Sequence, residues 1–164
     1  MDELKRLSTC HQEVEDRIRL VGETGNGAVV VLWLTQRLLL RLVPVLLEGL
    51  ETSGTDAAYH EILNGFAQQT ARAALKPEPP LHAAQDSQAW LVHSVDIAKT
   101  PEALHLTFKG ASGQQGFITL QPRLLHQWLG IMYDTCRNAN WPLSVWPQWL
   151  QDNAVQTSQP AVLH

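Results

Sequence analysis

Two stretches of the chain, Arg17–Leu50 and Ala103–Cys136, follow one pattern without a gap. Laid side by side, Leu20 falls on Leu106 and Leu34 on Leu120, and Arg37, Leu38 and Leu39 fall on Arg123, Leu124 and Leu125. Ile18 and Leu104, Leu32 and Ile118, and Val43 and Leu129 agree in kind. Each stretch holds a short alternating run, a glycine-containing break, an apolar run and an amphipathic helix. A fixed internal spacing means that each copy is one supersecondary unit unable to bury its apolar face alone. The expected fold is therefore α+β: a duplicated β-hairpin or three-strand unit plus helix, with antiparallel sheets and the helices on one face.

Within each copy the alternation has the period of a half-buried strand. Ile18 and Leu20 alternate with Arg17 and Arg19, and Leu104, Leu106 and Phe108 with His105, Thr107 and Lys109. Gly22–Gly27 and Gly110–Gly113 supply the turns, followed by second strands over 28–35 and Gln115–Gln121. A strand over Trp90–Ile97 precedes the second copy, with His93 on the face of Leu91, Val95 and Ile97. Its counterpart over Leu4–His11 is more polar. Leu38, Leu39, Leu42, Val43, Leu46, Leu47 and Leu50 form one helical stripe, in a helix that Pro44 should bend or whose start it should shift. Leu124, Leu125, Trp128, Leu129, Met132, Tyr133 and Cys136 form the other, opened by Pro122. A third helix is expected over 55–75, capped by Ser53-Gly54-Thr55, with Tyr59, Ile62, Leu63, Phe66, Ala67, Thr70 and Ala74 on its packing face. The expectation is one domain over 1–150, with repeats at about 4–51 and 88–138. The helix and a proline-rich link over 76–87 join them, and 151–164 form a disordered tail.

Composition narrows the function classes. Of 164 residues, 45% are apolar and 17% charged, which excludes wholesale disorder. The net charge of −4 disfavours a phosphate-backbone binder. Two cysteines without CxxC spacing exclude a disulfide scaffold and a four-cysteine zinc site. Seven histidines show no i,i+4 ligand pair and no HExxH, so no metal or cofactor is expected; His126 lies off its apolar stripe and is expected in solvent. The Gly22–Gly27 segment matches no phosphate-binding motif, and no catalytic residues are assigned. Glu13, Glu15 and Asp16 are a solvated charge run at a turn. The apolar run Val29–Leu50 contains Arg37, Arg41 and Pro44, so it reads as buried strand and helix, not a membrane span. With no apolar h-region at the start, the expected location is cytoplasmic.

What remains points to interaction. Val29, Val31 and Trp33 occupy the outward side of their strand, where the second copy has Gln115, Phe117 and Thr119; Leu40 and Val45 add apolar surface nearby. One face cannot hide all these side chains, so a second subunit, the 55–75 helix or the other unit must cover them. Trp141, Trp146 and Trp149 lie within ten residues, as a lid or a partner surface. Arg37 and Arg123, each at a strand-to-helix junction, are candidate anion ligands. The expected function is a non-catalytic protein-interaction or assembly module, homodimeric through the Val29–Val45 surface. The alternatives are single-stranded nucleic-acid binding on the sheet, through Arg17, Arg19, His105, Lys109 and Phe117, and a small-ligand sensory domain with a pocket between the repeats.

Overall fold

A computed structural model describes residues 2–51, 56–152 and 162–164. Strands β1 (Leu4–Gln12), β2 (Arg17–Thr24) and β3 (Val29–Leu34) form an antiparallel meander that runs into helix α1 (Gln36–Glu48). Helix α2 (Ala57–Ala74) and strand β4 (Gln88–Leu91) follow. A second antiparallel meander, β5 (Ser94–Lys99), β6 (Leu104–Lys109) and β7 (Gln115–Leu120), leads into α3 (Pro122–Asn138). The one-turn α4 (Gln148–Gln151) and the two-residue β8 (Val162–Leu163) come last. The fold is α+β, with a five-stranded sheet ordered β4-β3-β2-β1-β8 and a three-stranded sheet ordered β5-β6-β7. The larger sheet is mixed rather than antiparallel, because β4 runs parallel to β3. The chain enters β4 from a long connector, and no tight turn compels it to reverse.

The two hairpins pair alike. Ile18 lies opposite Leu34 and Leu104 opposite Leu120, and Leu20 and Leu32 pair as Leu106 and Ile118 do, with partners in the two hairpins 86 positions apart. Gly27 and Gly113 sit at φ +84° and +78°, the left-handed region that glycine enters without a Cβ clash. The N–H groups of Thr24 and Gly110 close these turns by donating to the carbonyls of Ala28 and Gln114 at 2.8 and 2.9 Å. α1 is capped by the Thr35 hydroxyl, which accepts from the Leu38 N–H at 3.2 Å, and α3 opens on Pro122. α1 continues through Pro44, which faces solvent.

The core lies between the sheets and the buried stripes of α1 and α3. Leu20, Leu32, Leu34, Leu39, Leu46, Leu106, Phe108, Leu120 and Trp128 are fully buried in it, and the Trp128 indole N–H donates to Thr9 Oγ1 at 3.2 Å. The sheets meet at both ends. Glu3 bridges Phe117 of β7, and the chain steps from one sheet to the other at Val92 and His93, whose N–H groups donate to Trp33 and Lys109 carbonyls.

That step corrects the single strand expected over Trp90–Ile97. Trp90 and Val92 are buried before it, Val95 and Ile97 half-buried after it, so the inward parity shifts by one and His93 is exposed rather than inward. The disordered tail expected over 151–164 is corrected at its end. Val162 and Leu163 are buried and pair with Ser8 and Leu7 of β1, because β1 would otherwise leave an open edge there. The cap expected at Ser53-Gly54-Thr55 lies outside the described residues.

Candidate functional site

Helix α2 is held to the molecule by its polar side. It packs against α3 and α4, and its buried residues are Gln68 and Ala71. Gln68 Nε2 donates to the His126 carbonyl at 2.9 Å, and its Oε1 lies 2.9 Å from His126 Nδ1. Gln127 Nε2 donates to the Ala71 carbonyl at 2.9 Å, and both terminal nitrogens of Arg72 donate to Asp134 Oδ2 at 3.3 Å. Gly130 of α3 makes room for this contact: a Cβ there would stand 2.7 Å from Gln68 Nε2.

The apolar residues of α2 point the other way. Tyr59, Ile62, Leu63 and Phe66 are 54%, 56%, 44% and 63% exposed. This corrects their assignment to a packing face. Their i, i+3, i+4, i+7 spacing puts them on one stripe of the helix, and the docked stripe is the opposite one. Beside the exposed stripe, a groove of about 400 Å³ runs between α2 and α4, with Trp149 half-buried on its α4 wall.

His126 is the second correction. It is buried, not solvated, and burial pushes its pKa down to about 4. The same α2 contact buries Gln127. A histidine and a glutamine off an apolar stripe are ordinary surface residues in a sequence; only the layer above them makes them buried partners. Asp16 is a third residue whose part the sequence hid. At φ +52° in the β1–β2 turn, its Oδ1 accepts from the Trp141 indole at 2.7 Å and lies 2.8 Å from His11 Nε2. These two bonds, the Trp141 one the stronger, hold its carboxyl below the usual range. The His11–Asp16 pair has no thiol beside it, since Cys10 Sγ turns to the Arg19 carbonyl at 3.8 Å. Burial pushes the Cys136 thiol up to about 12, so it is no nucleophile.

The other residues singled out in the sequence are dispersed. Val31 is 4% exposed within this one chain, Val29, Trp33 and Leu40 are half-buried, and Val45 is exposed. Val31 belongs to a buried row with Val162, Ser8 and Val21 across four strands. The connector reaches this side of the sheet through Glu78, which meets Arg6 at 3.2 Å and His164 at 2.7 Å. Trp141 and Trp146 are buried, the second edge-on to Tyr133, and Trp149 is edge-on to His126. Arg37 and Arg123 are exposed on the first turns of separate helices. Arg17 and Arg19 lie on the five-stranded sheet, whereas His105, Lys109 and Phe117 lie on the other, where Lys109 pairs with Asp96. A cavity of about 230 Å³ opens between Gly49–Glu51 and Lys99–Leu104, over Leu120 and Leu125.

Among the described residues no cluster of three or more histidine, cysteine or acidic side chains is placed to hold a metal ion, and no helix is long and apolar enough to cross a membrane. Comparison with protein-family models, with curated proteins and with solved structures gave no match.

Proposed function

We propose that this protein is a non-catalytic protein-interaction module and that α2 is its docking element. The observation that carries this reading is the polarity of α2, which turns its apolar stripe to solvent and its hydrogen-bonding groups to the core. Burying a large apolar side chain is worth about 1.5–3 kcal/mol, so four half-exposed ones leave several kcal/mol available to a partner. The two meander-plus-helix halves, read as copies of one duplicated unit with the same pairing and the same helix start, form the scaffold that presents α2. The β3 surface supports a homodimer less well, because Val31 is already covered by its own chain. A second copy therefore competes with other proteins for α2 rather than for β3. Nucleic-acid binding is less well supported, since the basic residues are split between two sheets. A small-ligand role is the second reading, supported by the cavity between the halves, and Leu104→Trp, which fills that cavity, would abolish it.

The test is quantitative co-purification with tagged chains in the cells of origin, including a differently tagged second copy. Ile62→Glu/Phe66→Glu is expected to lose the partners that the wild type and Val14→Glu both retain; Val14 is 98% exposed but far from α2 in the β1–β2 turn. Identical recovery by all three chains would overturn the reading.

A further inference from the structure

We infer that the groove between α2 and α4 receives an amphipathic helical segment of a partner protein, with apolar side chains at its centre and basic side chains at its edges. The inference rests on α2 being the docking element and adds the chemistry of what docks.

Apolar Ile62 and Phe66 from α2 and Trp149 from α4 line the groove, together with the amides of Gln69 and Gln148. Its rim is acidic. Glu61 stands on one wall and Asp152 on the other, and no lysine or arginine lines the groove among the described residues. Among the described residues neither carboxylate makes an ion pair, and the Gln148 amide donates to Asp152 Oδ1 at 2.7 Å. An apolar trough between carboxylates that pair with no described cation matches a helix that carries leucine- or phenylalanine-type anchors flanked by lysine or arginine. A second copy of α2 fits less well, because it brings another Glu61 to the same rim.

Gly65 adds an independent observation. It lies in the middle of α2, where glycine is the poorest residue after proline, and it forms part of the groove wall. A side chain there would stand in the groove wall and replace a residue of low helix propensity. The exposed stripe from Tyr59 to Phe66 rises about 10 Å, two helical turns, which suits a partner engaging through i, i+3/i+4 and i+7 anchors.

The experiment uses the full chain and two fluorescein-labelled helical peptides of about 18 residues with the same leucine stripe, one flanked by lysines and one by glutamates. Fluorescence anisotropy should show saturable binding of the lysine peptide, at least about tenfold tighter than the glutamate peptide and weakened by salt. Gly65→Leu should abolish binding while thermal stability is kept or raised. Glu61→Lys/Asp152→Lys should reverse the preference between the peptides. Equal affinity for both peptides, or unimpaired binding by Gly65→Leu, would overturn the inference. So would a wild-type dimer in sedimentation that Gly65→Leu dissolves, because the groove would then belong to a second copy. If the peptides fail while Ile62→Glu/Phe66→Glu still loses its cellular partners, α2 remains the docking element and only the basic-helix chemistry falls.

Discussion

The two meander-plus-helix halves are covered in opposite ways. In the first, β3 is an interior strand, paired on both edges and buried at Val31 on its second face, while α1 shows Arg41, Pro44 and Val45 to solvent. In the second, β7 is the last strand of its sheet and its second face is only half-buried, while α3 is covered by the sheets on one side and α2 on the other. Positions 86 apart show what the cover demands. Leu40, Arg41 and Pro44 of α1 correspond to His126, Gln127 and Gly130 of α3. Under α2 the histidine and glutamine become paired, buried groups and the glycine becomes the floor of a close approach. The layer added over α3 decides what these positions of the helix must be.

The contrast can be broken most directly on the strands. Val31→Asp places a carboxylate on a covered face and should cost about 3–4 kcal/mol in urea unfolding, whereas Phe117→Asp at the corresponding place should cost about 1 kcal/mol or less. Equal losses would show that β3 is no better covered than β7.

On the helices, His126 gives the next effect. Its folded pKa of about 4 lies below the ordinary 6.5, so the unfolded chain binds more protons between those values. Stability should be fully present above pH 6.5 and fall by of order 3 kcal/mol as pH drops to about 4. Asp134, raised by burial despite Arg72, works in the opposite direction at the acid end, and Asp16 and Glu78, both lowered, lose their contributions below the ordinary carboxylate range. His126→Asn should flatten the slope above pH 5; an unchanged slope would place the titrating group elsewhere.

A smaller effect inverts a familiar sign. Replacing glycine by alanine in an exposed helix gains up to about 1 kcal/mol, but Gly130→Ala should lose about 1–2 kcal/mol, because the new methyl displaces the Gln68 amide from its bond to His126. Pro44→Ala at the corresponding site of α1 should gain of order 1 kcal/mol. Chemical denaturation of both variants measures the pair, and a gain from Gly130→Ala would mean that α2 is loosely seated. The smallest signal is kinetic: a maleimide should modify the half-buried Cys10 first and reach Cys136 of α3 only on unfolding.

These contrasts also mark what the sequence made legible. Alternation at Ile18–Leu20 and Leu104–Phe108, and the stripes of α1 and α3, located four elements because periodicity reports which residues share a face. It does not report which face docks. The stripe at Tyr59, Ile62, Leu63 and Phe66 has the same signature whether it meets a core or solvent, so α2 was placed as a helix and turned the wrong way round. The break at His93 escaped for a related reason: the apolar residues on either side form one run, and only the parity shift between Val92 and Val95 separates two strands. His126, Gln68 and Asp16 were invisible as a class, since a polar residue becomes a site through partners distant in the chain, 58 positions apart for the first two.

The Gln68 contact also fixes a proton. Its amide nitrogen is committed to the His126 carbonyl, which leaves its oxygen facing Nδ1, and an amide oxygen only accepts. The imidazole is thereby set as the Nδ1–H tautomer, with Nε2 as the acceptor nitrogen, the minority form of neutral histidine in water. Nitrogen-15 chemical shifts separate the two tautomers by many line widths, so a single ring in α3 becomes a spectroscopic gauge of whether α2 is seated, readable with nothing attached to the exposed stripe and no partner in hand.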